Sequence, residues 1–453
     1  MDMSTYIKSK KNPIVLLCFL IGIIVIDVYL FSRSGYAMGR YFVVLLLILS
    51  FVLNLEQAYY LLMFCFPFAS ILKLSESFIT ISPLIFLVII FKLLFLKKIK
   101  LKQSHLLPFL FIILAQFPMV FLYDADIKGI ISFSINIFFV LCSAVYFSKI
   151  KNEDNSIIKN SALFFSVALC VNVILCDVFP NIMYLISMPK QLALESDGRF
   201  GAMFVEPNEF SQVVLMAIGL LLFLIPIYKN FIIRIGLAVL IIFLVINGYR
   251  SYSKAYVLVL LLVFFWLFIM WGQSIYKKKG VGHLLLFLLP LAIIIIIYSE
   301  SIYQNVVLPV FEARKSSDFL SGRDNIWKNY FLALKERPDV VIWGCGVGNV
   351  TCVLRIADIA SGAVPHNLYL EFLVQLGVLG LVFFSCLFLQ IVRDAKQKLS
   401  SFFLLSVIAF FAVAATISAN SNDCLYMLML FFAMPYSAAF DSNFANKKVE
   451  LDR

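Results

Sequence analysis

The sequence predicts an all-α polytopic membrane protein with about 14 transmembrane helices, N-in/C-in, and a large extracytoplasmic loop containing short amphipathic helices. Three observations lead there. Hydrophobic residues make up 62% of the chain and charged residues 14%, with a mean hydropathy of +0.98; such values belong to chains whose apolar surface faces lipid. The apolar residues come in runs of roughly 20, the length that crosses the hydrocarbon layer as a helix. The basic residues between the runs are distributed to one side.

Taken in order, the runs lie near 13–32, 37–53, 57–73, 81–96, 106–123, 129–148, 160–179, 208–228, 231–249, 254–272, 282–299, 367–390, 401–418 and 422–440. The first follows Lys8, Lys10 and Lys11 in the manner of a signal peptide. It is too long for an h-region, however, holds Asp27 and has no A-x-A site after it, so it reads as a span that stays. Only Asn54, Glu56 and Gln57 divide the second run from the third. With the N-terminus inside, the groups Lys97–Lys102, Lys149–Lys159, Lys229–Arg234, Lys277–Lys279 and Arg393–Lys398 and the tail Lys447–Arg453 all face the cytoplasm. The chain 1–453 then reads as a single integral membrane domain, with a periplasmic loop, 300–366, inserted between the eleventh and twelfth spans. That loop is long enough to translocate whatever its charge.

Composition also bounds function. A net charge of +11 would point to nucleic acid if the basic residues clustered on a soluble face, but they are scattered between apolar runs, so no nucleic-acid partner is expected. Most of the nine cysteines lie inside apolar runs and read as small buried hydrophobes. Cys345 and Cys352 differ, because both fall in the outward loop, where an oxidising compartment would let them pair; two cysteines in one loop do not make a disulfide framework, so this stays open. No CxxC or His/Cys cluster is present, and neither a metal nor another cofactor is expected.

The outward segments hold the polar chemistry. Ser321 and Asp324 fit a capping box for an amphipathic helix over 322–336, with Ile326, Trp327, Tyr330, Phe331 and Leu334 on its apolar side and Pro338 after its end. Arg323 falls in its first turn, where the dipole disfavours a cation and free N–H groups favour an anion. Either a bound phosphate resolves that conflict, or Asp324 or a lipid headgroup does. The cluster Gly344-Cys345-Gly346-Val347-Gly348-Asn349 reads as a tight outer turn before it reads as a phosphate cradle. His366 follows Pro365 and opens the twelfth span, where the dipole disfavours imidazolium and leaves a ring able to accept a proton, or simply a capping group. Asn367, Glu371 and Gln375 run a polar stripe at spacing four down that helix and must face protein or water. Two more outward segments are Glu195–Glu209, with Arg199 and Asn208, and the basic hairpin Arg250–Lys254. Asp124-Ala125-Asp126 is the D-x-D of the outer face and reads as a solvated turn in preference to a metal site.

These residues resemble the bacterial O-antigen polymerase and O-antigen ligase superfamily. The likeness rests on Arg199-Phe200-Gly201 with Glu206-Pro207-Asn208, Ser253-Lys254-Ala255, Ser321-Gly322-Arg323 with Trp327, the Gly344–Gly348 cluster, and His366-Asn367 with Leu370-Glu371 and Gly377. It implies a membrane glycosyltransferase of the periplasmic face of the inner membrane, metal-independent and using a polyprenyl-diphosphate-linked donor. By that resemblance His366 is the general base, and Arg199 and Arg323 clamp the diphosphate. Arg250 and Lys254 are further candidates for the diphosphate; this sequence departs from the family, which often has arginine where Lys254 stands, so which of the two makes the contact stays open. Asn208, Asn367 and Glu371 are supporting residues.

The leading expectation is a polymerase that passes an undecaprenyl-diphosphate-linked glycan to the sugar of an incoming lipid-linked repeat unit. Its expected partners are that donor and acceptor, membrane lipid, and a chain-length regulator of the polysaccharide co-polymerase type. The alternatives are an O-antigen ligase acting on lipid A-core and, in another class, a lipid-linked oligosaccharide flippase. A flippase would place ionisable residues at mid-membrane and show repeated halves. Here the spans hold little beyond Asp27 and the end-lying Lys92 and Asp177.

Overall fold

A computed structural model describes residues 13–74, 80–150, 156–187, 199–204, 206–228, 230–279, 323–359, 364–394 and 422–434, with a few positions between 300 and 308. The fold is all-α, and among the described residues the only β contact is an isolated bridge between Lys73 and Thr80. In chain order the helices are α1 (Pro13–Ser34), α2 (Tyr36–Val52), α3 (Leu55–Cys65), α4 (Ile81–Phe91), α5 (Gln103–Tyr123), α6 (Ile127–Phe147), α7 (Ser156–Val178), α8 (Asn181–Ser187), α9 (Pro207–Leu224), α10 (Phe231–Tyr249), α11 (Lys254–Lys279), α12 (Arg323–Glu336), α13 (Pro338–Trp343), α14 (Cys352–Ile356), α15 (Leu368–Asp394) and α16 (Asn422–Ala433). Among the described residues, seven of them (α1, α5, α6, α7, α9, α10 and α15) are long and apolar enough to cross a membrane, and α2, α4 and α11 contain shorter apolar stretches. The expected spans at 282–299 and 401–418 lie outside the described residues, as does Ser321 of the expected capping box. Helices stand where the other runs predict them, and the protein is a multi-pass membrane protein.

The third run departs from expectation. Asn54, Glu56 and Gln57 do more than interrupt it: Asn54 Oδ1 accepts from the Gln57 amide at 2.9 Å while Gln57 Oε1 accepts from the Asn54 amide, a reciprocal cap that starts a new helix. That helix, α3, has only 11 residues. With the 3-10 turn Phe66–Phe68 that continues it, it reaches roughly 22 Å, less than the hydrocarbon thickness of about 30 Å, so it is shorter than the span expected at 57–73. All of its residues except Glu56 are buried, and it packs against α7, with α4, α2 and α1 also in contact. Just before it, the last carbonyls of α2 are met by Lys92, whose Nζ donates to Ser50 O at 2.6 Å and to Leu53 O. This is how a buried cation at a helix C-terminus is satisfied.

Burial separates inner from outer helices. In α9, 89% of the spanning window is buried, whereas in α5 and α10 the share is 22%, and apolar side chains such as Phe121 and Ile232 lie exposed on them. An outward apolar face has no place in water but is the expected surface against acyl chains. The inner helix α9 thus brings Asn208, at its N-terminal end, into the bundle. The segment from α12 to α14 forms a satellite core of its own, in which Tyr330, Ala333, Leu334, Val340, Val350, Val353 and Leu354 pack with Leu370 and Val374 of α15. The expected amphipathic helix is α12, with Tyr330, Ala333 and Leu334 buried, while Phe331 remains exposed.

Candidate functional site

The site is assembled around a break in α15. Gly377 has φ 64 and ψ 177, which interrupts the helix one turn past Leu373, and the carbonyls just before the break lose their helical partners. The glycine cluster supplies new ones. Cys345 N donates to Val374 O at 2.7 Å and Gly346 N to Gln375 O at 3.0 Å. Gly344 sits directly on Gly377, where a Cβ would overlap the Gln375 carbonyl, so the approach requires glycine. Further along, Val347 N donates to Gln116 Oε1 at 2.9 Å and Asn349 Nδ2 to Tyr123 O at 2.6 Å. The expected tight turn is therefore a latch, and its N–H groups are engaged by protein carbonyls rather than left open for a phosphate.

The same loop is tied to the end of α5. Tyr123 Oη donates to Asp339 Oδ2 at 2.5 Å, and Arg337 Nη2 donates to the same oxygen at 2.6 Å. The Arg337 guanidinium holds the Asp339 carboxyl well below the usual carboxylate range, and the Tyr123 hydroxyl adds to the effect. Arg355 Nη2 reaches Tyr123 O at 3.4 Å and Asp124 at 3.8 Å. Asp124 itself is the left-handed C-cap of α5, and Asp126 is the N-cap of α6, accepting from the amides of Lys128 and Gly129. The D-x-D segment is thus a pair of helix caps, as the turn reading expects.

His366 stands at the mouth of α15. The helix starts at Leu368, and it is Asn367 that caps it, its Oδ1 accepting from Tyr369 N and Leu370 N at 3.1 Å. His366, expected to open the helix, lies just outside it with φ 49, half-buried, a left-handed conformation uncommon for a side chain larger than glycine. Beside it, Trp327 Nε1 donates to Pro365 O at 2.7 Å. Arg323 precedes Trp327 by four residues on α12 and shares its face, and Pro365 is the residue before His366. Below, Glu371 and Gln375 are buried at 0% and 3% exposure; the polar stripe faces protein, as expected.

A second group surrounds Arg199. Its Nε donates to Ser251 O at 2.8 Å and its Nη2 to Asn208 Oδ1 at 3.0 Å, while Phe200 N donates to Arg250 O at 3.0 Å. The loop before α9 is thereby sewn to the turn between α10 and α11. Lys254, the first residue of α11, is buried beside that turn. Arg250 has a different occupation from the one expected of it: both its terminal nitrogens donate to Asp177, at 3.0 and 2.7 Å. It also bonds Asn247 Oδ1 at 2.8 Å and covers the Phe200 ring at 3.9 Å. Its bidentate fork is spent on a carboxylate of α7. Sequence reasoning assigned no role to Asp177 or Asn247; the signal for Asp177 was an acid standing alone at the end of a span.

The described bonds thus tie Arg199 to Asn208 and Ser251, beside the Arg250–Asp177 pair, and tie Trp327, four residues after Arg323 on α12, to Pro365, the residue before His366. Together they offer guanidinium groups for an anion and an imidazole for a proton. Residues 237–385 match the family model described as O-Antigen ligase. The matched stretch includes Arg250, Lys254, Arg323, His366, Asn367 and Glu371, whereas Arg199 and Asn208 precede it. Comparison with curated proteins gives no match.

Proposed function

We propose that this chain is an O-antigen polymerase of the inner membrane, a reading supported by the match of residues 237–385 to the family model described as O-Antigen ligase. Its donor is an undecaprenyl-diphosphate-linked glycan and its acceptor the sugar of an incoming lipid-linked repeat unit. The reaction takes place at the periplasmic face, with a chain-length regulator as partner protein. The observation that supports this reading is the Trp327–Pro365 bond, which ties the helix that begins with Arg323 to the residue before His366.

In the proposed step His366 takes the proton of the acceptor hydroxyl as its oxygen attacks the anomeric carbon. The bond from that carbon to the diphosphate breaks, and the diphosphate leaves with the electron pair. Arg199 and Arg323 stabilise the charge that develops there, a task for forks that stay protonated and bind two oxygens at once. Lys254 adds a point charge. Arg250, already paired with Asp177, acts by holding the Arg199 loop in place, and Asn208, Asn367 and Glu371 orient the charged groups. The meeting of the Arg199 group with the Arg323–His366 group across the bundle is part of this proposal, and the reaction uses no metal.

A second reading, transfer of the finished glycan to lipid A-core, is favoured by the description of the matching family model. The glycan profile of a deletion strain separates the two. Core capped by a single repeat is the outcome expected for a polymerase. Uncapped core with polymer accumulating on the lipid carrier would establish a ligase instead, and loss of exported repeat units would indicate a flippase.

A further inference from the structure

The latch contains two thiols for which the proposed transfer has no use. Cys345 lies between the glycines that meet α15, and Cys352 opens α14. Both are buried, at 0% and 1% exposure, in the satellite core that also holds Tyr330, Val340 and Val374. The two thiols are neighbours: Asn349 Nδ2 donates to Tyr123 O at 2.6 Å and lies 3.5 Å from Cys345 O, and the Cys352 thiol points at that same Tyr123 oxygen. Cys352 Sγ also lies 3.7 Å from Arg355 Nη2 and 3.6 Å from Tyr123 O. The neighbouring Cys345 thiol, with Arg355 beside it, draws Cys352 toward the thiolate, and the same neighbour, together with burial, keeps Cys345 protonated. One cysteine is thus set to attack and the other to follow. The thiols among the apolar spans, such as Cys142 and Cys170, stand in different surroundings, buried on helix faces.

We propose that Cys345 and Cys352 form an intramolecular disulfide that staples the latch to α14. The step is thiol–disulfide exchange with a disulfide-bearing oxidant. Cys352 attacks one oxidant sulfur, and the other departs as a thiolate that takes up a proton. Cys345 then loses its proton and attacks Cys352 in the mixed disulfide, expelling the first oxidant sulfur. The two cysteines give up two electrons in all, and the oxidant leaves as a dithiol. With the staple closed, the amides of Cys345 and Gly346 are fixed where α15 breaks, and through the half-helix above the break so is the segment that holds His366. The inference rests on the extracytoplasmic placement of the loop, since a reducing cytoplasm would leave the pair as thiols.

The test uses the native full-length protein. Trypsin cuts after Lys335 and after Arg355 but is blocked at Arg337 by Pro338, so one peptide, residues 336–355, holds both cysteines. Alkylated under denaturing conditions without reductant, it should stay unmodified and be lighter by two hydrogens than the dithiol form, accepting two alkyl groups only after reduction. Full alkylation without reductant would overturn the disulfide. To separate that failure from failure of the topology, Lys328→Cys, at an exposed position of α12, is treated in spheroplasts with a membrane-impermeant maleimide. An alkylated pair with labelled Lys328→Cys overturns the disulfide alone, and an alkylated pair with an unlabelled Lys328→Cys overturns both the disulfide and the placement on which it rests. The lighter peptide supports the disulfide whichever way the label falls.

Discussion

Gly344 and Gly377 lie backbone against backbone: a Cβ on Gly344 would come within 2.8 Å of Gly377 N, and one on Gly377 within 2.6 Å of Gly344 N. Both also have positive φ. We expect Gly344→Ala and Gly377→Ala each to lower stability by at least ~2 kcal/mol, from backbone strain and overpacking together. The two act on one gap, so the double variant should lose less than the sum of the single losses. Thermal unfolding of the detergent-solubilised variants measures all three, and strict additivity would show that the glycines are independent.

His366→Ala should reduce glycan extension by ~10²-fold or more, the range of a lost general base, with the protein still present in the membrane at its normal level. An unchanged chain-length distribution would remove His366 from the reaction. Arg199→Lys and Arg323→Lys should also impair extension, because a point charge does not reproduce a bidentate fork.

Arg250 and Asp177 form one ion pair, so Arg250→Gln, Asp177→Asn and the double variant should impair activity to similar extents. Their side chains are 40% and 47% exposed, which limits the pair to about 0.5–1 kcal/mol of stability. If Arg250 instead bound diphosphate directly, Arg250→Gln would be far more damaging than Asp177→Asn. Activity of the three variants in membranes decides between the two roles.

The Arg337–Asp339 pair gives the loop a pH dependence of definite sign. Asp339 is more acidic in the folded protein than when unfolded. Its contribution is therefore fully present above the unfolded carboxylate value, about 4, and is lost as pH falls through the lower folded value. With the two side chains 27% and 44% exposed, the contribution is about 1 kcal/mol or less. Proteolysis at Lys328 and Lys335 should be insensitive to pH from 7 to about 5 and rise only in stronger acid, and Asp339→Asn should bring the looser state to neutral pH.

Trp327→Phe keeps the ring but removes the donor to Pro365 O. We expect extension to fall by roughly tenfold, the equivalent of one hydrogen bond of about 1–1.5 kcal/mol, with the amount of protein unchanged. Full activity would mean that ring packing alone sets α12 against His366.

Much of the fold was legible in the sequence because membrane helices are long apolar runs, and the runs predict α1, α2, α5, α6 and α10 with small differences at their ends. The shortness of α3 was hidden, since Asn54 and Gln57 read equally as a loop or as a cap and only the structure shows their reciprocal bonds. In the site, the polar stripe on α15 and the amphipathic α12 follow from spacing. The partners of the glycine cluster do not, because the carbonyls of Val374 and Gln375 become available only where Gly377 breaks a helix that the apolar pattern draws as continuous. The Arg250–Asp177 pair joins residues 73 apart, a pairing for which no local pattern gives a sign.

The break in α15 also bears on how the protein enters the bilayer. Cys345 and Gly346 precede Val374 and Gln375 in the chain, so the latch amides are synthesised before the carbonyls they meet. Were the order reversed, two carbonyls would enter the hydrocarbon with no donor, at a cost of several kcal/mol each. A permuted protein whose latch followed α15 would have to insert those two carbonyls before their donors exist, and its membrane insertion should be less efficient even with the same finished structure.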